Sequence, residues 1–304
     1  MPTQSASIAQ LWVYPVKSCA GISVLATPLT ETGLEWDRAW MVVDAKGQAI
    51  TQRELPAMAL VQTRIRLSDI QLKAPGMLGL HLSMNEVEEP MSVQVWGESM
   101  PAYAMGTLAS QWLGDFLGQT ERGKALLTQR GPFQLVRFDP DHRRVSDTSW
   151  TGGEQSLNQF SDGFPLLVVS EASLAELNRR LIEAGHQPVG MERFRPNLVL
   201  SGLAAHEEDQ IRTMRIDVGG RSVTVQLVKP CSRCSIPGVN PQTGEVDDAV
   251  GQALAAYRRD AGLKGAITFG MNAIVTQGLV TADSDDDEPV LRVSQTVEIE
   301  RAAS

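Results

Sequence analysis

The chain has 304 residues, enough for two domains that each bury a core. Apolar residues make up 42% and charged residues 21%, which excludes a disordered chain, and no run approaches the roughly 20 apolar residues that cross a bilayer. A formal net charge of −9 argues against a general nucleic-acid binder, so any anion site has to be local. The opening MPTQSASIAQLWVYPVKS lacks the basic start and apolar centre of a signal peptide, and cytoplasmic placement is the expectation.

In chain order, short runs rich in β-branched and aromatic residues cover 8–16, 22–28, 40–44, 60–67 and 91–95, with turn signals such as Ala20-Gly21 and Pro75-Gly76 between them. They predict a β-rich, antiparallel first module. Residues 102–117 place Leu108, Trp112, Leu113 and Phe116 at helical spacing, with Gly118 as the stop. After a strand candidate at 134–138, the polar, Gly-containing stretch up to Phe160 reads as a long surface loop. A buried strand at 166–169 leads to Ser170, which caps a helix with Leu174, Leu177 and Leu181 on one face and Gly185 at its end. Strand character returns at 198–200, 216–218 and 222–228, with Gly219-Gly220 as a hairpin turn. A helix over 249–260 and late strands at 267–275 and 290–300 follow, and the acidic run DSDDDE at 283–288 reads as a solvated loop. Strands outnumber helices without alternating with them, so the predicted class is α+β, β-dominated and barrel-like, with a few covering helices.

Three cysteines in a chain of this length do not make a secreted disulfide framework. Two of them stand in VKPCSRCSIPGVN. A single C-x-x-C supplies half of a structural zinc site, and His81, His142, His186 and His206 are scattered singly. A thioredoxin-like pair wants a helix N-terminus after the motif, and here a Pro-Gly turn follows. One thiolate in a cationic loop is the third reading, since Lys229 and Arg233 favour deprotonated sulfur. Two small residues in a turn is the bland one. Elsewhere, Lys17 and Ser18 of YPVKS sit where the first strand should end, a suitable phosphate cradle. Asp37-Arg38 and Arg53 fit a local ion pair, and ERFRPN adds Arg195 and Asn197 ahead of another strand.

Taken together, LWVYPVKSCAGISV, GLEWDRAWMVVD and ITQRELPAMALV resemble the N-terminal β-barrel module of the MOSC family. SDGFPLLVVSEASLAELN, RFRPNLVLSG, KPCSRC and FGMNAIV resemble its catalytic MOSC domain. The resemblance implies a division into 1–122, the N-terminal module, and 123–304, the MOSC domain. It is similar in particular to the amidoxime-reducing branch, and it implies a molybdenum cofactor, a Mo-pyranopterin, whose metal takes one protein thiolate. By the family motif that ligand and catalytic residue is Cys234, while Lys17, Ser18, Arg38, Arg195, Asn197, Ser232 and Arg233 contact the pterin and its phosphate. The chain departs from the family pattern after Cys234, at Ser235, Pro237 and Asn240, and at Gly163 and Phe164, which replace hydroxyl residues.

The implied activity is reduction of N-hydroxylated small molecules, such as amidoximes and N-hydroxylated bases, by oxygen-atom transfer. No cysteine follows Cys234, so electrons are expected from a separate donor, a ferredoxin or a cytochrome b5-type protein with a flavin reductase. The alternative is a carrier that holds molybdenum cofactor or a persulfide on Cys234. Neither nucleic acid nor a membrane span is expected.

Overall fold

The computed structural model describes residues 4–84, 89–280 and 287–302. Seven strands close a barrel, numbered here in chain order: β1 (Gln4–Val13), β2 (Leu166–Ser170), β3 (Leu198–Ser201), β4 (Ile211–Val218), β5 (Arg221–Ser232), β6 (Ala266–Gln277) and β7 (Thr296–Arg301). Around the barrel the order is β2-β3-β1-β7-β4-β5-β6, and β6 pairs back onto β2. Only β2–β3 is parallel among these pairings. Alternate side chains point inward, as a closed sheet requires. Ile8, Leu11, Leu198, Leu200, Met214, Val223, Val225, Ala273 and Val297 fill the interior.

Before the barrel's second strand the chain builds a four-stranded antiparallel sheet, ordered Trp40–Val43, Gln134–Phe138, Glu98–Ala104 and Pro90–Val95. The helix Gly106–Leu117 buries Trp112, Leu113, Phe116 and Leu117 in the core beside it. This helix starts later than its periodicity predicts. Ala102 and Tyr103 are laddered to strands on both sides and Ala104 to Gln134–Phe138, and Gly106, at positive φ, opens the helix. The β-dominated, antiparallel expectation holds, with a few helices covering the sheets.

A cut between residues 122 and 123 crosses both sheets. The N-terminal β1 is a barrel stave held between β3 and β7, and Gln134–Phe138 sits inside the four-stranded sheet. Each half of the chain thus completes the other's sheet, which fixes the seam between them.

Ser170 caps the helix Glu171–Glu183 through its side chain, which accepts from the Ser173 amide at 3.1 Å. That helix and the shorter Ala249–Ala255 cover the barrel through Leu177, Leu181, Val250 and Leu254. The second helix stops at Ala255, short of the expected 260, because Arg259–Asp260 pairs with β6. Gly219 and Gly220, both at positive φ, turn the β4–β5 hairpin as predicted. The long stretch 139–160 is not a free surface loop. It carries a short helix, Thr148–Thr151, and the buried Arg144 donates to Asn158 Oδ1 at 2.6 Å and to the carbonyls of Gln159 and Ser161 at 2.6 and 2.7 Å. Most of the acidic run, residues 283–286, lies outside the described residues. Among the described residues no helix is long and apolar enough to cross a membrane.

Candidate functional site

One end of the barrel gathers five segments: the turn after β1, the Asp37-Arg38 turn, residues 161–164 leading into β2, Phe194 to Asn197 leading into β3, and the end of β5. They enclose a cavity of about 130 Å³. Lys17, Ser18, Arg38, Arg195, Asn197, Ser232, Arg233 and Cys234 all line it. Residues up to 217 positions apart in sequence, from Lys17 to Cys234, are thus brought to one surface.

The backbone is bent to present them. Ser18, Arg38 and Arg195 have φ of 66°, 54° and 58°, the left-handed region that side-chain-bearing residues enter only when their surroundings hold them there. Part of that hold comes from Asn197, which is buried. Its Oδ1 accepts from the Leu167 amide at 3.1 Å and from Arg38 Nη1 at 3.2 Å, and its Nδ2 donates to the Trp12 carbonyl at 3.2 Å. The side chain therefore ties β1 and β2 to Arg38, and its role is to position. Arg38 also pairs with Asp37 and donates from Nη2 to the Arg195 carbonyl at 3.0 Å. At β5, register shifts against β6 fall between Leu227 and Lys229 and between Pro230 and Ser232. Pro230, which has no amide to donate, sits at such an irregularity, just before the Cys231–Cys234 stretch that lines the cavity.

The electrostatics are those of an anion site. The Arg38 and Arg195 guanidinium groups lie 4.5 and 4.2 Å from the Tyr14 ring centroid, and Arg195 donates to the Cys19 carbonyl at 2.5 Å. Burial, reinforced by Arg38, brings the Arg195 pKa down to about 10, so it stays cationic at neutral pH. Burial raises the Tyr14 hydroxyl, which remains protonated. Lys17 is buried and its pKa is lowered by that burial, while Asp162 beside it pulls the other way. Its ammonium donates to Asp162 Oδ1 at 2.5 Å and to the Phe160 carbonyl at 2.6 Å. Arg195 Nη2 and Arg233 Nε are buried with no hydrogen-bond partner. Buried donors without partners are costly, and both arginines belong to the cavity lining.

The cysteines differ sharply. Cys19 is fully buried and burial pushes its thiol up to about 12, which leaves it inert. Cys231 is half-buried and accepts from Arg233 Nη1 at 3.1 Å, whereas Cys234 is exposed and lines the cavity. Arg233 inside the motif is therefore directed at Cys231 and Lys229 at the Trp150 ring, 4.7 Å away, while Cys234 offers the accessible sulfur.

Sequence reasoning passed over Tyr14, Asp162 and Asn272. Asp162 and Asn272 line the cavity, and Tyr14 underlies two of its arginines. Tyr14 and Asp162 lie inside YPVKS and SDGFP, blocks already singled out, but their partners at the site come from distant segments. Arg53 also lines the cavity, and its partner is Asp162 at 3.8 Å, with Trp96 stacked on its guanidinium at 4.4 Å.

Residues 5–120 match the model of the MOSC N-terminal beta barrel domain, and residues 155–290 match the MOSC domain. The chain is 31% identical to the mitochondrial amidoxime reducing component 2 of Rattus norvegicus over 254 residues, 80% of this chain and 70% of that protein. It is likewise 31% identical to the human mitochondrial amidoxime-reducing component 1, covering 79% of this chain and 68% of that one. The molybdenum cofactor sulfurase of Bos taurus is 29% identical over 83% of this chain but only 29% of its own length. With the barrel, the convergent cavity and these matches in place, the chain belongs to the MOSC family.

Proposed function

We propose that the protein is a molybdenum-cofactor-dependent reductase of N-hydroxylated compounds, with the metal held by Cys234. The observation that carries this is the convergence of eight residues from four separate stretches of chain on one cavity lined by an exposed thiol and by the cationic Lys17, Arg38, Arg195 and Arg233. That donor set fits the cofactor: a soft thiolate suits the metal, and fixed cations suit an anionic phosphate. Similarity to proteins named as amidoxime reducing components supports the substrate class.

When bound, the cofactor supplies the two-electron oxygen-atom chemistry, and the protein supplies placement and charge. Cys234, two residues past the end of β5, would hold the metal. Arg38 and Arg195, backed by the Tyr14 ring, would hold the phosphate, with Ser18 and Lys17 beside them. Ser232 and Arg233 would border the pterin, and Asn197 keeps Arg38 aimed. Electrons come from a separate ferredoxin or cytochrome b5-type donor.

Purified protein loaded with cofactor tests the reading. Stoichiometric molybdenum and pterin with reduction of benzamidoxime to benzamidine is the expected result. A labile persulfide on Cys234 without turnover would instead support a sulfur carrier, the role suggested by the sulfurase similarity.

A further inference from the structure

The hairpin that joins Pro90–Val95 to Glu98–Ala104 turns through two residues, Trp96 and Gly97, with Val95 paired to Glu98 across it. Both have positive φ, 54° and 83°, the type I′ geometry that Asn-Gly fits best. A bulky side chain rarely enters this region, and Trp96 gains little from burial because it is 61% exposed. Local chemistry therefore disfavours tryptophan here. A residue that breaks a local rule with no packing to show for it points to a use elsewhere.

That use lies at the mouth of the site cavity. The Arg53 guanidinium stands over the Trp96 ring at 4.4 Å, and the indole Nε1 donates to Asp162 Oδ1 at 3.2 Å. The same oxygen accepts from Lys17 Nζ at 2.5 Å, while Arg53 Nη2 is 3.8 Å from Asp162 Oδ2. Lys17, Arg53 and Asp162 line the cavity, and Asp162 is the only carboxylate among the described residues that do. It is thus the group that competes with an incoming anion for Lys17.

A carboxylate that gives up an ammonium partner keeps most of its stabilisation only if another donor stays with it. Trp96 supplies that donor from outside the cavity lining. Without it, Asp162 would rest on Lys17 and Arg53 alone and hold them back from the anion. The hairpin itself has a separate anchor. Arg144 Nε donates to Glu98 Oε2 at 2.9 Å, from the same buried guanidinium that grips Asn158, Gln159 and Ser161.

Resting on the reading of this cavity as the seat of the cofactor phosphate, we infer that Trp96 is a positioning residue of the anion site, sharing Asp162 with Lys17 so that Lys17 can turn to a phosphate. Two replacements separate this role from a structural one. Asparagine suits the turn but is too short to reach Asp162, whereas the five-membered ring of histidine can set Nε2 where the indole Nε1 stands.

Inorganic phosphate is titrated into the cofactor-free chain by calorimetry, alongside urea unfolding, for the parent, Trp96→Asn, Trp96→His, Asp162→Ala and the Trp96→Asn/Asp162→Ala double variant. Trp96→Asn should raise the phosphate Kd about threefold or more, with a urea midpoint unchanged or higher, and Trp96→His should stay within about 1.5-fold of the parent. Asp162→Ala should bind phosphate at least as tightly as the parent, and adding Trp96→Asn to it should change the Kd by less than about 1.5-fold. The proposal is overturned by unchanged affinity in Trp96→Asn, by a loss that tracks a fall in stability, by a histidine variant as weak as the asparagine one, by the same loss in the Asp162→Ala background, or by a parent that binds no phosphate. Benzamidoxime turnover by the loaded parent is scored apart. Its absence beside the expected phosphate results would remove the reductase reading and leave Trp96 in its role.

Discussion

Two buried polar clusters sit at opposite ends of the five-residue strand β2, and they are built on opposite principles. At the far end, the fully buried Glu208 accepts from the Ser170 amide at 3.2 Å, from Ser170 Oγ at 2.9 Å and from Ser173 Oγ at 2.6 Å. The carboxylate is saturated by local donors, and burial raises its pKa while those bonds oppose the shift. At the site end, Arg195 and Arg233 keep buried donors without partners, and three lining residues are held at positive φ. A satisfied cluster stabilises a fold, whereas an unsatisfied one is retained where something else supplies the acceptor.

The sharpest way to break this contrast is at the sulfurs. Cys234→Ala should lose the metal and at least about 100-fold of turnover, whereas Cys231→Ala should keep most of both. Metal analysis alongside benzamidoxime kinetics decides it, and equal losses would transfer the ligand role or divide it. Next in size is Arg195→Gln, expected to weaken cofactor retention by about tenfold or more, since a charged donor to phosphate is lost. Its urea midpoint should change little or rise, because a buried, half-satisfied charge is removed. Glu208→Ala should do the opposite, costing about 1–3 kcal/mol in urea unfolding as it strands the serine donors, with kcat/KM within about twofold of the parent.

Gly21→Ala probes the site's support. A Cβ there would stand 2.3 Å from the Tyr14 ring, which would have to move away from Arg38 and Arg195. The expected cost is about 1–3 kcal/mol in stability together with weaker cofactor retention. The smallest effect concerns His206, close to the Glu208 cluster. Burial, with Arg258 adding to it, brings its pKa down from 6.5 to about 4. The unfolded chain binds the proton first as pH falls. The stabilisation from the neutral ring is therefore complete above pH 6.5 and is lost as pH drops toward 4. His206→Phe should flatten the fall in stability across that window, measured by urea titration at stepped pH.

Much of the local structure was legible in the residues. Ser170 as a cap, Gly219-Gly220 as a turn, and most strand locations follow from short-range chemistry, because caps, turns and alternation act within a few residues. The late start of the helix at Gly106 was not, since Ala102 to Ala104 fit either element until strands 90–95 and 134–138 claim them. The site residues were named through family resemblance, and spacing alone left zinc, redox and single-thiolate readings open.

The sequence by itself determined which chemical groups exist, a C-x-x-C beside arginine, a Lys-Ser turn and an Arg-Pro-Asn run, and the local elements that carry them. The tertiary structure decided which of them meet. It brought β1 across to close the barrel, put Asp162 on Lys17, turned Arg233 toward Cys231 and left Cys234 open to the cavity. The reason is physical: apart from the local Arg233–Cys231 contact, these pairings join residues far apart along the chain, and only closure of the sheet sets their distances.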